Sequence, residues 1–260
     1  MNDLIEIGFW RLSAAYFFVI VLLLILRRFE IGKEKEVLLS TIRMTIQLVL
    51  VGYLLEYLFG HQNLLITLLL LVIMLGFAIN NVFSRIKKRL KLEFKRVISF
   101  SLIIGTCLSL FFFLLVVVGI RPWYEVRYFI PIAGMIIGNS MTGITLGAER
   151  LLDGMHSRKD VIEGALMMGA KPYTAAKQVV IDAFTAAILP TINSMVGMGI
   201  VFLPGMMTGQ ILSGISPITA IEYQIAIMLG IVGSVTFSVF LLVFLGYRLF
   251  FNERCQLEIN

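Results

Sequence analysis

The sequence predicts an all-α fold, a polytopic bundle of about seven transmembrane helices. Three observations predict it. Of the 260 residues, 59% are hydrophobic and 15% are charged, whereas a soluble domain has about 45–50% apolar and about 25% charged residues. The apolar residues form runs of about 20, the length of a membrane-spanning helix. The Lys and Arg residues cluster between the runs, which is typical of cytoplasmic loops and argues against a nucleic-acid partner.

The seven predicted spans share this length and carry few charges. They cover about 6–26, 38–58, 64–83, 97–119, 129–150, 182–203 and 220–246. The N-terminus, "MNDLIEIGFWRL", lacks the basic start and cleavage site of a signal peptide, so we expect the first span to be retained. Cys107 and Cys255 form neither a disulfide framework nor a metal motif.

The distribution of basic residues predicts the orientation. The loops "RRFEIGKEKE" and "SRIKKRLKLEFKR" carry four and seven Lys or Arg residues, and residues 150–180 carry five. The facing loops, "GHQN" and "IRPWYEVRYF", carry none and two. By the positive-inside rule the N-terminus lies outside and the C-terminus is cytoplasmic. The outer loops are too small to form a second soluble domain.

Polar residues inside the spans are costly and need a reason. Arg43 and Gln47 are four residues apart and share a helical face in the second span. Arg43 either snorkels to the headgroups, pairs with an acid of another helix, or makes a gating contact at the inner mouth of a pathway. From its similar predicted depth, Glu149 is a candidate partner. The three residues form a candidate inner polar cluster.

The fifth span, "IPIAGMIIGNSMTGITLGAERLL", is the most polar. Asn139, Thr142, Thr145 and Glu149 recur along one stripe, which either packs against neighbouring helices or lines a translocation path. The pairs Gly134/Gly138 and Gly143/Gly147 have the spacing that lets transmembrane helices approach closely. These glycine pairs favour close packing along at least one edge of the helix.

The sixth span and its exit are interrupted by prolines and glycines. Asn193, Met195 and Met198 are candidates for lining the path, although methionine more often fills gaps than binds a soft metal. Residues 204–217 are too polar and broken to span, so they form either a re-entrant segment or a plain outer loop. Glu222 would lie near that mouth.

The sequence contains no nucleotide-binding or hydrolase motif, so we expect a chain that is not an enzyme and binds no cofactor. His61 and His156 are isolated, and a metal site is not defined by the pattern.

The cytoplasmic segment "RKDVIEGALMMGAKP" predicts a short helix over residues 158–168. Val161, Ala165 and Met168 would form its apolar face. Gly169 would end it as a C-terminal glycine, and Pro172 would begin a helix that continues into the sixth span. A short helix joined by a glycine hinge to a span is a mechanical coupling element, which a soluble partner could hold.

This segment, "EGALMMGAKPYTAAKQVVI", resembles the EAA loop of ABC transporter permeases. Glu163, Ala165, Gly169 and Ala170 match its pattern, and Leu166 lies among them. Gly164 replaces the first alanine, and Ile181-Asp182 stands where Leu-Pro usually closes the motif.

Together with "STIRMTIQLVLVGYLL", "GMIIGNSMTGITL" and "LPTINSMVGMGIVFLPGMMTGQILSG", it resembles the Fet-type permeases of bacterial iron-export ABC transporters and their plant relatives linked to aluminium tolerance. The resemblance implies one permease domain over residues 1–260 in the bacterial inner membrane, with a coupling segment at about 153–180. It implies iron as the substrate in bacteria, whereas the plant relatives are associated with nucleotide-sugar export. It also implies a separate ATPase subunit that carries ATP and Mg. Because one seven-span chain is half a pathway, we expect two permease copies with two ATPase subunits. The coupling residues would be Glu163, Ala165, Leu166, Gly169 and Ala170.

Two other classes of function compete with the ABC exporter. An autonomous proton-coupled transporter or channel would use the polar stripe, with Glu149 or Glu222 as the proton-carrying carboxylate. An intramembrane enzyme would need a nucleophile–base pair or metal cluster that the sequence does not display.

Overall fold

The computed structural model describes residues 8–60, 63–86 and 90–258. These residues form helices joined by short connections, and within the described ranges the only β-structure is isolated bridges. A π-helical segment, Phe113–Val118, and a 3₁₀ segment, Tyr247–Phe250, each continue a longer α-helix. The helices are α1 (Phe9–Ala15), α2 (Phe17–Arg28), α3 (Glu34–Gly60), α4 (Leu64–Arg85), α5 (Leu92–Phe112), α6 (Val126–Ser157), α7 (Lys159–Met167), α8 (Pro172–Gly197), α9 (Gly205–Leu212) and α10 (Pro217–Gly246).

Seven helical stretches of the described residues are long and apolar enough to cross a membrane, which confirms the predicted number of spans. They are 20 to 34 residues long, or about 30–50 Å at 1.5 Å per residue, against an apolar bilayer core of about 30 Å. The stretches are Phe9–Arg28, Glu34–Gly60, Leu64–Arg85, Leu92–Val118, Val126–Ser157, Pro172–Gly197 and Pro217–Phe250. The side on which each terminus lies stays a prediction.

The bounds of the sixth span differ from the sequence prediction. Its helix begins at Pro172 and ends at Gly197, so residues 198–203 are not helical. The chain folds back there, with the Gly199 N–H donating to the Phe202 carbonyl at 3.0 Å and the Val201 N–H to the Gly197 carbonyl at 2.9 Å. The start of the first predicted span, His61 and part of the loop "SRIKKRLKLEFKR" lie outside the described residues.

The chain divides into two compact units. One contains α1–α3, within Met1–Gln62 together with Leu212–Gly214, and the other contains Asn63–Ile211 with Ile215–Asn260. In the first unit the Tyr16 and Thr45 hydroxyls are 2.7 Å apart and link the start of α2 to α3. The single domain predicted over residues 1–260 stays a prediction.

The second unit holds a continuous core between α5 and α10. A Cβ built on Gly105 of α5 would lie 2.7 Å from the Cα of Ser238 on α10, and one on Gly230 would lie 2.8 Å from the Phe113 ring. Only glycine lets the two helices approach so closely. The small residues of α10, Gly230, Ser234 and Ser238, are spaced by four and therefore share one face.

The helix α6 packs through one of its two predicted glycine pairs. A Cβ on Gly143 would lie 2.9 Å from Val235 of α10, and one on Gly147 would lie 3.3 Å from Ala187 of α8. The other pair differs from the prediction of close approach. A Cβ on Gly134 would meet only the Met74 methyl at 3.6 Å, and one on Gly138 would meet nothing within 4 Å.

Candidate functional site

The segment between α6 and α8 forms the predicted short helix and hinge. Helix α7 covers Lys159–Met167, within a residue or so of the sequence prediction. Gly169 has φ +87°, the left-handed conformation in which glycine has no steric penalty. Pro172 is in the first turn of α8, as predicted. The chain therefore passes from a short helix into a span through a connection of four residues.

The end of α7 is fixed by two backbone hydrogen bonds. The Gly169 N–H donates to the Leu166 carbonyl at 2.9 Å, and the Ala170 N–H donates to the Ala165 carbonyl at 3.0 Å. This 5→2 and 6→1 pattern is the Schellman motif. Four of the five predicted coupling residues thus have a defined local role, which is to end α7 at an exact point.

The fifth residue, Glu163, lies on the side of α7 and is partly exposed. Its carboxylate is 3.7 Å from the Lys159 ammonium, one helical turn earlier. Such an exposed i,i+4 pair stabilises a helix by about 0.3–0.5 kcal/mol. Whether Glu163 contacts a partner subunit stays a prediction.

The side of α7 that packs against the core differs from the predicted apolar face of Val161, Ala165 and Met168. Ile162 is buried and Leu166 packs against the core, whereas Val161, Met167 and Met168 are 70%, 87% and 85% exposed. Contact with α8 determines which side is covered, and a sequence periodicity gives the stripe but not its partner. The outward side of the segment is consequently an exposed apolar patch, which in soluble surroundings is typical of a protein interface.

An ion pair that the sequence analysis missed ties this segment to α8. Arg158, the residue before α7, donates to the Asp182 carboxylate at 2.7 Å, and Gln178 donates to its other oxygen at 2.9 Å. Asp182 is the residue that stands where the EAA pattern has Leu-Pro. The sequence signal for this ion pair was Asp182 at the start of a predicted span, because a charged side chain inside a span requires a partner.

An open cleft of about 590 Å³ lies at the same end of α6 and α8. Its charged lining residues are Glu149, Arg150, Asp153 and Asp182. Glu149, predicted as part of an inner polar cluster, therefore borders this cleft between two helices of the second unit.

The polar stripe of α6 runs from an exposed to a buried position. Asn139 and Thr142 are exposed, Thr145 is buried, and Glu149 is half-buried. Asn139 donates to the Met135 carbonyl at 2.8 Å, and the two threonines donate to carbonyls of their own helix. The two hydroxyl donors are thereby satisfied within α6, whereas the Asn139 amide has a second N–H and a carbonyl oxygen that also require hydrogen-bond partners.

The path residues predicted on α8 lie beside this stripe. Asn193 and Met195 are exposed, and Met198 is half-buried just beyond the helix end. The Gln224 amide of α10 lies 3.8 Å from the Met198 sulfur. Helices α6 and α8 are antiparallel, since Gly147 meets Ala187 and Gly154 meets Val179.

This register brings Asn139 and Asn193 to a similar depth. Counted from the contact of Gly147 with Ala187, Asn139 is about 12 Å along α6 and Asn193 about 9 Å along α8, both in the same direction. The two separately predicted groups therefore lie at a similar depth on two packed helices, and both Asn139 and Asn193 are exposed.

The residues of the remaining predicted cluster belong to different units. Arg43 and Gln47 lie exposed on α3 of the first unit, while Glu149 belongs to the second. The pairing of Arg43 with Glu149 stays a prediction. Among the described residues, no group of three or more His, Cys, Asp or Glu side chains could hold a metal ion.

The chain matches UPF0014, described as an uncharacterised protein family, over residues 9–251. It is 35% identical to the UPF0014 membrane protein YjkA of Bacillus subtilis, covering 96% of this chain and 98% of the relative. It is 34% identical to a protein of Escherichia coli named probable iron export permease protein FetB, covering 96% and 94%. It is 32% identical to the protein ALUMINUM SENSITIVE 3 of Arabidopsis thaliana, covering 93% and 88%. No solved structure matches the chain significantly.

Proposed function

Because the chain belongs to the UPF0014 family of membrane proteins, we propose that it is the transmembrane permease subunit of an ABC exporter. A separate ATPase subunit binds ATP and Mg and supplies the energy. The seven candidate spans support a permease. A relative that aligns with 96% of this chain is named a probable iron export permease, which supports export and iron as the substrate.

The observation that carries the proposal is the segment from Arg158 to Pro172. A short helix with a sharply defined end exposes Val161, Met167 and Met168, and it is joined to a span through a single left-handed glycine. An exposed apolar patch on this short helix gives a soluble subunit a surface to bind. Movement of α7 would reach α8 through the connection and through the ion pair of Arg158 with Asp182.

The proposed orientation places this segment in the cytoplasm of a bacterial cell, with the chain in the inner membrane. The N-terminus is then outside and the C-terminus inside, as the basic loops favour. The small outer loops leave little surface for a periplasmic binding protein, which favours export over import.

The translocation path is assigned to the exposed face that carries Asn139, Thr142 and Asn193. Polar groups facing lipid are unfavourable, so a second copy of the permease is expected to cover them. The assembly is then two permease copies with two ATPase subunits, and the half-buried Glu149 lies towards its cytoplasmic entrance.

The proposal is tested by purifying the tagged chain from native membranes in mild detergent and measuring which subunits remain bound, and in what ratio. We expect an ATPase subunit at about one copy per permease. The double variant Met167→Asp with Met168→Asp should reduce its recovery by more than about tenfold, since each charge must be desolvated at an apolar contact.

Leu92→Asp is the matched control. Leu92 is 65% exposed and begins α5 on the same proposed side, so the ATPase should remain bound. A chain that purifies without any ATPase and moves iron in vesicles under a proton gradient alone would contradict the proposal. That result would favour the autonomous proton-coupled transporter and make Glu149 and Glu222 the next residues to test.

A further inference from the structure

A second cavity of about 890 Å³ lies between α5 and α10, away from the α6–α8 face. It is lined by apolar side chains and glycines, with Ser109 and Glu222 as the polar exceptions. Several of the lining side chains are largely exposed, including Leu108, Phe112, Ile225 and Leu229. The cavity is therefore an open apolar groove and not a sealed core defect.

The groove runs along the helix axes. Gly105 of α5 meets Ser238 of α10 and Phe113 meets Gly230, so the two helices are antiparallel. From Glu222 to Phe237 the groove follows 15 residues of α10, or about 22 Å. Half of an apolar bilayer core is about 15 Å, so the groove is long enough to hold an acyl chain through one leaflet.

Glycines and an irregular stretch of α5 create the open space. Gly230 admits the Phe113 ring, which begins the π-helical segment Phe113–Val118. Further along the same helix, a Cβ on Gly233 would meet nothing within 4 Å. Because Gly233 has no side chain, the space that a side chain would fill there belongs to the groove.

The one charged lining residue, Glu222, is exposed and lies within the first two turns of α10. An apolar groove long enough for an acyl chain, with a carboxylate at its rim, complements an amphiphile that has an acyl chain and a cationic head. We propose that this groove binds one phospholipid with a primary-amine headgroup, whose ammonium pairs with Glu222 while an acyl chain follows the groove towards Gly233.

The charge distribution favours a lipid over a second copy of this chain. A second copy would have to present a basic residue and an apolar helix face side by side in the matching order. A phospholipid with a primary amine joins an ammonium to an acyl chain in every molecule, and so complements both Glu222 and the apolar lining. The site is independent of the proposed transport function, because lipid binding requires neither an ATPase nor a substrate.

The test uses the full-length chain in bilayers of equimolar phosphatidylethanolamine and phosphatidylglycerol, extracted in mild detergent. Native mass spectrometry then counts and identifies the retained lipids. We expect phosphatidylethanolamine to be enriched, and Glu222→Gln to reduce that enrichment about two- to fivefold, as expected for the loss of one partly exposed ion pair. Gly233→Leu should fill the groove and remove the retained lipid of either kind.

Gly76→Leu is the matched control, because Gly76 is a mid-helix glycine of α4 and a Cβ there would also meet nothing within 4 Å. It should retain lipid like the unmodified chain. Unchanged enrichment in Glu222→Gln, or unchanged lipid retention in Gly233→Leu, would overturn the proposal. So would rapid disulfide-linked dimers of Leu229→Cys in a chain lacking Cys107 and Cys255, which would show that a second copy covers the groove.

Discussion

Two spans of equal length, Glu34–Gly60 of the first unit and Leu92–Val118 of the second, are buried to different extents. Each has 27 residues, and each is apolar enough to cross a membrane. No residue in the most apolar window of the first is buried, whereas 44% of the corresponding window of the second is buried. Hydropathy therefore identifies both spans but does not distinguish a packed helix from an uncovered one.

The difference lies in the small residues. On α5, Ser101, Gly105 and Ser109 are spaced by four and buried or in close contact with α10. On α3, a Cβ at Gly52 would meet nothing within 4 Å. Because lipid tails are as apolar as leucine, association of membrane helices depends on close packing, and small residues permit it.

Substituting the closely packed glycine should have the largest effect. Gly105→Ala places a methyl group 2.7 Å from the backbone of Ser238, and backbone cannot move aside as a flexible side chain can. We expect a loss of about 3 kcal/mol, the upper end of overpacking costs, seen as aggregation on size exclusion and a lower Tm in detergent.

Gly52→Ala on α3 is the matched control for that loss. It adds the same methyl group in open space and removes a glycine from a helix interior, so its stability should be unchanged or slightly higher. Equal destabilisation by both substitutions would mean that close packing does not separate the two spans.

A smaller effect is expected from the buried hydrogen bond between α6 and α10. The Ser140 and Ser234 hydroxyls are 2.8 Å apart and fully buried. Ser140→Ala should cost about 1 kcal/mol and leave one buried hydroxyl unpaired. The double variant with Ser234→Ala should cost less than the sum of the two single variants.

Thermal unfolding in detergent measures this coupling, with Ser194→Ala as the reference. Ser194 is bonded to the Pro190 carbonyl of its own helix, so its loss should matter less. Strict additivity of Ser140→Ala and Ser234→Ala would show that the pair contributes nothing to the packed region.

The smallest effect on stability is expected at the exposed polar face. Thr142 is exposed and bonded within its own helix, so Thr142→Val should change the stability by less than about 0.5 kcal/mol. Under the proposed function it should still lower ATP-driven iron transport into inside-out vesicles, while Thr41→Val on α3 should not. Equal transport by both variants would argue against a path along this face.

Local features of the coupling segment could be predicted from the sequence because their causes are local. The glycine after an amphipathic stretch predicted the end of α7, and Pro172 predicted the start of α8. Both are confirmed, since a left-handed residue and a missing N–H act on the adjacent turn. The exposed side of α7 could not be predicted, because the position of α8 decides whether Ile162 or Val161 is covered.

The candidate site shows the same division. The stripe of Asn139, Thr142 and Thr145 followed from helical periodicity, but its change from exposed to buried along α6 depends on the neighbouring helices. The pairing of Arg158 with Asp182 joins residues 24 positions apart, and no spacing rule predicts such a contact.

The sequence by itself determined the number of spans, their approximate positions and the ends of α7, because hydropathy, helical period and backbone preferences act within one segment. Only the tertiary structure decided that α5 and α10 pack through small residues, that Gly134 and Gly138 do not form a close contact, and that an apolar groove remains open between α5 and α10. These features depend on which helix faces come into contact. That relation between segments is fixed only when the chain packs.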